Sequence, residues 1–260
     1  ELYQRNTKKI KAFMIVLPKE KTEAKVCNPK FAVFYGKPKA GKSCLMAALE
    51  NNLIIDLENG YQALSALVIQ ARSVKDFGDI VTAIKEEISR TGKKPYKYIT
   101  IDNATRLEEI CMGYAIQLYK STNQGKNYQG TDIRTLPNGS GYMWLRMAVK
   151  KVIDLFRDLS DHLILIAHTR DKQINVEGQE MSEMTLDLTG RLGDIICGEA
   201  DAIGYVYRKK NETIISFEGG SNIVREARAP HLRGKNIVVA ESDENNNITF
   251  HMDRIFLPEE

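Results

Sequence analysis

The chain has 260 residues, 43% of them hydrophobic and 27% charged, with a formal net charge of +3. It reads as one soluble α/β domain, with or without a small appendage. No apolar run approaches the roughly 20 residues of a bilayer-spanning helix. The first residues are polar and basic rather than a signal segment, and the four cysteines are scattered without a CxxC pair. A reducing cytoplasm is therefore the expected location.

The charge is unevenly placed. Residues 1–40 hold ten Lys or Arg against Glu1, Glu20 and Glu23, a local +7 that leaves −4 for the remainder. Such an arm either touches nucleic acid or is a solvated terminus. We divide the chain into a basic arm over 1–29, a core over 30–220 and a β extension over 221–260 belonging to the same domain.

Strand-like and helix-like segments alternate, which predicts a mostly parallel sheet covered by helices as an αβα sandwich. The apolar run Phe31–Tyr35 enters Gly36-Lys37-Pro38-Lys39-Ala40-Gly41-Lys42-Ser43-Cys44. This is a full match to the Walker A pattern, with a helix expected from Lys42 to about Glu50. The glycines let successive N–H groups curl around a phosphate at the positive end of that helix. Lys42 would reach the terminal phosphates, and the Ser43 hydroxyl would ligate magnesium. The implied ligand is a magnesium nucleoside triphosphate, with ATP expected.

A second strand, Leu53–Asp56, leads into Leu57-Glu58-Asn59-Gly60. Glu58 leaves a strand tip, where parallel sheets bind their ligands, and could orient an attacking water; it could equally be a surface acid beside a glycine turn. Val74–Ser89 is an amphipathic helix with Phe77, Ile80, Ile84 and Ile88 at helical spacing. Tyr98–Asp102 is a third strand, ending where a carboxylate can hold the magnesium shell. Asp102-Asn103 could instead cap the helix expected over Ala104–Lys120. Asn103 stands where many P-loop ATPases carry a glutamate, so a base must come from elsewhere, and Glu58 is the candidate.

Residues 121–141 are rich in Asn, Gly, Ser and Thr and predict a long loop. A helix over Tyr142–Leu159 and a buried strand over His162–His168 follow. His168, at that strand's tip, could meet the γ-phosphate or be an ordinary strand-end histidine. Residues 169–188 suggest a second mobile loop. Two antiparallel hairpins are expected to close the chain, turning at Lys209–Glu212 and Asp243–Asn247.

In motif order, Gly36–Ser43, Ile55-Asp56-Leu57-Glu58, Ile99–Asp102 and Leu163–His168 resemble the RecA-like ATPases. Over roughly residues 30–220 the sequence also looks like the small phage-encoded RecA-like ATPases of single-strand annealing and recombination. The resemblance implies that Glu58 is the catalytic base, Asp102 the magnesium residue and His168 a polar sensor. It also implies that Arg208 and Lys210, on the first hairpin, reach into a neighbour's site in a ring or filament. The two loops would face single-stranded DNA, through Lys126 and Arg134 in the first and Arg170 and Lys172 in the second. Tyr128, Tyr142 and Trp144 stand near the first loop as rings for base stacking or as core residues of the next helix. The second loop departs from the pattern, since its acids outnumber its cations, and the basic stretch Arg225–Lys235 could compensate.

The resulting expectation is an ATP-hydrolysing RecA-like protein on single-stranded DNA, in the cytoplasm of a host if phage-encoded. An ATP-driven assembly switch and a packaging or protein-assembly ATPase without DNA contact are the alternatives.

Overall fold

The computed structural model describes residues 17, 19–21, 28–176, 179–220 and 223–258. Most of the basic arm over 1–29 therefore lies outside the described residues.

Strand β1 (Phe31–Gly36) is buried on both faces, as a near-continuous apolar run requires. Its alternate residues serve two different layers. Val33 and Tyr35 join one hydrophobic cluster, and Ala32 and Phe34 join another on the opposite face. Helices α2 (Val74–Thr91), α3 (Ala104–Lys120), α4 (Ser140–Phe156) and α5 (Leu192–Glu199) bury their apolar stripes against the first face. Helix α1 (Lys42–Ala47) and the C-terminal residues Leu232, Met252 and Phe256 cover the second.

The sheet continues through β2 (Asn52–Asp56), β3 (Leu67–Gln70), β4 (Tyr98–Asp102) and β5 (His162–Val176). It is completed by β7 (Ala202–Lys209), β8 (Glu212–Ser216), β10 (Asn236–Ser242) and β11 (Ile248–Phe250). The order is β11-β10-β8-β7-β1-β5-β4-β2-β3. From β7 to β3 every pairing is parallel, and from β7 to β11 every pairing is antiparallel. The expected parallel core with an antiparallel C-terminal extension is thus the observed architecture.

Register sets the position of the site. Strand β5 is inserted between β1 and β4, so Gly36 lies opposite His168 and Asp102 opposite Ile166, while Asp56 pairs with Asp102. Four strand tips therefore open onto one edge, where parallel sheets bind ligands.

Several elements differ from the sequence expectation. Residues 169–188 are not a loop: β5 runs on to Val176 and pairs antiparallel with β6 (Gln179–Leu186) as a ribbon beyond the main sheet. Its backbone pairing is regular, but its largely polar sequence carries no sustained apolar alternation. Strand β3 also escapes the sequence pattern; it is a short edge strand with all four residues exposed. The segment 121–141 contains two short 3₁₀ turns, Ile133–Thr135 and Pro137–Gly139, with Ile133 fully buried as their anchor. A two-residue strand, β9 (Glu226–Ala227), pairs with β7.

Candidate functional site: the phosphate-binding cavity

The glycine loop works by close approach and by handedness. A methyl at Gly36 would sit 2.3 Å from the Val206 carbonyl oxygen of the neighbouring strand, so only glycine fits there. Gly41 has φ 99°, a left-handed conformation that an L side chain resists, and it starts α1. The Lys42 ammonium is folded back onto its own loop, donating to the carbonyls of Gly36 at 2.8 Å and Lys37 at 2.9 Å. Burial lowers its pKa, and the nearby Asp102 and Glu58 carboxylates oppose that shift. A terminal phosphate offers this lysine a stronger acceptor than a neutral carbonyl.

Beside Lys42, the Ser43 hydroxyl donates to Asp102 Oδ2 at 3.1 Å. The same oxygen accepts a 2.6 Å hydrogen bond from Tyr61, a residue for which the sequence offered no signal. Asp102 is 8% exposed; burial raises its pKa, and the hydrogen bonds from Tyr61 and Ser43 act the other way. Burial likewise pushes the Tyr61 phenol well above its ordinary value, with the Asp102 charge adding to it. Tyr61 therefore serves as a donor across the ordinary pH range.

Asn103 does cap α3, accepting from the Arg106 amide at 3.0 Å. Asp102 itself faces the cavity, so the two adjacent residues divide the two roles that the sequence left open. The peptide joining them is cis. Asn103 Nδ2 lies 3.2 Å from His168 Nε2, and His168 Nδ1 is buried without a hydrogen-bond partner among the described residues.

Glu58 is exposed on a tightly held turn. Its amide and that of Asn59 both donate to Asp56 Oδ1, at 3.0 and 2.8 Å, and Arg72 Nη1 donates to the Leu57 carbonyl. Asp56 is thus a buried turn-former that leaves Glu58 to face outward.

These groups share one cavity of about 400 Å³, lined by Pro38, Lys39, Gly41, Lys42, Ser43 and Cys44 on the loop side. Glu58, Asp102, Asn103, His168 and Arg208 line the rest. Gly36 and Lys37 contribute the carbonyls that hold Lys42, and Ala40 is the loop's buried hydrophobic contact.

Arg208 lines the cavity of its own chain. It lies against the P-loop of its own chain, its Nη2 only 3.4 Å from where a Gly41 methyl would stand. Strand β7 lies beside β1 and carries Arg208 past the sheet edge to that position. Lys210, at the tip of the β7–β8 turn with φ 55°, is exposed and does not line this cavity.

The residues expected to face DNA lie elsewhere. Arg134 and Arg170 meet at a second cavity of about 400 Å³, with Glu108 and Glu109 of α3 and Asp187 and Thr189 at the ribbon's base. Arg134 is engaged by Asp132, with Nε–Oδ1 and Nη2–Oδ2 contacts of 2.9 and 2.7 Å. Lys172 Nζ stands 3.7 Å from Asp194, while Lys126 is exposed. Trp144 packs half-buried against Tyr119, whose ring also meets Tyr128, so the indole serves the core. Tyr142 is 37% exposed. In the stretch Arg225–Lys235, Arg225 and Arg233 donate to backbone carbonyls, Arg228 pairs with Asp201, and His231 contacts the Ile255 carbonyl. Much of that basic stretch is committed to holding the C-terminal extension.

A Walker A loop at the edge of a parallel sheet, with an acidic strand tip two strands away, defines a P-loop nucleotide-binding fold. The AAA domain family model matches residues 28–238, and the chain belongs to that family. The chain is also similar to the RadB recombinase in its crystal structure, over 85% of this chain and 90% of that one, at 12% identity and a TM-score of 0.46. The comparison with curated proteins gives no match. Among the described residues no helix is long and apolar enough to cross a membrane.

Proposed function

We propose that the chain binds magnesium-ATP in this cavity and hydrolyses it, coupling nucleotide state to single-stranded DNA as a homo-oligomer. The convergence of the P-loop, Glu58, Asp102, His168 and Arg208 on one cavity carries the reading. Ser43 and Asp102 are hard oxygen donors already in contact, and no cluster of three metal-ligating side chains occurs among the described residues. That donor set suits magnesium, which takes one or two protein oxygens and completes its shell with phosphates and water. Bound there, the ion would neutralise charge on the phosphate chain.

The chain's own residues supply the remainder. Lys42 and Arg208, both lining the cavity, would offer cations to the terminal phosphates, where charge spreads in the transition state. Glu58 would orient the water, because Asn103 beside Asp102 cannot accept its proton. His168 and Asn103 form a polar pair through which the γ-phosphate end would communicate with β5 and the ribbon beyond it. Lys210 is left free to face a neighbouring copy.

DNA contact would run through Lys126, Arg170 and the ribbon. A second reading, an ATPase driving protein assembly without DNA, gains support from the pairing of Arg134 with Asp132 and of Lys172 with Asp194. ATP turnover measured with and without single-stranded DNA separates the two. Stimulation supports the first reading, and turnover indifferent to DNA supports the second. Absence of any turnover refutes hydrolysis itself.

A further inference from the structure

The geometry points to Tyr61 as a positioning residue that ties the Glu58 loop to the magnesium-binding pair. This rests on the assignment of Ser43 and Asp102 to magnesium. Tyr61 closes the turn that begins at Asp56, three residues beyond Glu58, and its side chain is only 4% exposed. Its ring belongs to the hydrophobic cluster under the sheet's second face, so the hydroxyl is delivered from a fixed platform. That hydroxyl donates to Asp102 Oδ2 at 2.6 Å, the same oxygen that Ser43 approaches at 3.1 Å.

Two consequences follow from this one bond. A carboxylate can rotate about its terminal torsion, and a short charge-assisted hydrogen bond from a rigid donor limits that freedom. With Oδ2 held by Tyr61 and Ser43, the carboxylate is oriented before any ion arrives. The Asp56–Tyr61 loop is also fixed at both ends, by the Asp56 turn at its start and by Asp102 at its finish. Glu58 sits between these two anchors, so the position of the water-orienting carboxylate depends on the residue that serves the metal. Tyr61 does not line the nucleotide cavity, and its influence passes through Asp102.

Tyr61→Phe keeps the ring in its cluster and removes only the donor. Fluorescent-nucleotide titrations at graded magnesium should show the magnesium midpoint raised by about tenfold, the size expected for losing a hydrogen bond to a charged group. Nucleotide affinity in EDTA should stay within twofold, and kcat should fall more than KM for ATP changes. In an Asp102→Ala background, which removes the acceptor of the Tyr61 hydrogen bond, the same substitution should have no further effect on the magnesium midpoint, because the group it acts through is gone. Thermal melting checks that each variant is folded. A folded Tyr61→Phe protein with an unchanged magnesium midpoint overturns the inference, as does an undiminished effect in the Asp102→Ala background. If the wild-type protein binds nucleotide without regard to magnesium, the Ser43–Asp102 assignment fails first, and the two failures are thereby told apart.

Discussion

Arg208 stands in the same chain's cavity as Glu58 and Lys42, and this makes a sharp prediction about mixed oligomers. Arg208→Ala removes a cation beside the P-loop while leaving Lys42 and the loop amides in place. At an effective dielectric of 20, one unit charge about 4 Å from another is worth about 4 kcal/mol. A factor of ten in rate corresponds to about 1.4 kcal/mol, so the expected loss in kcat is about 10³-fold. That is the lower end of what an arginine on a transferring phosphoryl group contributes. Nucleotide affinity should fall far less, since the charge that Arg208 meets grows in the transition state. Glu58→Gln should also bind nucleotide and lose at least about a hundredfold in turnover, through loss of the general base. The two inactive proteins are then mixed in equal amounts under conditions of subunit exchange, with mixed assembly verified by light scattering and differential labelling. With both residues serving one chain's site, no interface in the mixture restores a complete set, and turnover should stay at the mutants' level. Recovery of a substantial fraction of wild-type ATPase would show that Arg208 acts on a neighbour and would refute the argument from its position against Gly41.

Two further outcomes follow from the same cavity. Lys42→Ala should abolish tight nucleotide binding, at a cost of about 2–5 kcal/mol for truncating one member of a buried charged contact; a titration within twofold of wild type would contradict the assignment. Cys44 lines the cavity and is half-buried, whereas burial pushes the Cys111 and Cys197 thiols up to about 12. At pH 8 a thiol reagent should therefore modify Cys44 ahead of those two in the native protein, as mass mapping would show, and bound nucleotide should slow it. Because burial raises both folded-state thiol values above the ordinary 9.0, their contribution to stability is complete below about pH 9 and is lost as pH rises toward 12. The urea midpoint should decline across that window.

Local chemistry made much of the site legible. The spacing from Gly36 to Ser43 implies a phosphate loop whatever surrounds it, because backbone curvature and a following helix N-terminus are properties of a few consecutive residues. The apolar runs ending at Asp56, Asp102 and His168 imply strands, and strands of a parallel sheet place their tips together. Periodicity likewise located α2, whose buried Phe77, Ile80 and Ile84 follow the helical repeat. Where burial does not govern a segment, the pattern is silent. The exposed edge strand β3 is held by inter-strand hydrogen bonds, which leave no alternation in the sequence to read, and the polar ribbon pairing β5 with β6 offered none either. Only tertiary structure brought the Tyr61 hydroxyl to Asp102 across 41 positions of chain, since neither residue type nor spacing encodes a contact made by folding a loop beneath a sheet. The position of Arg208 within its own chain is likewise a tertiary fact. A hairpin arginine is equally compatible with its own site or a neighbour's, and the pairing of β7 alongside β1 put this one over the P-loop of its own chain.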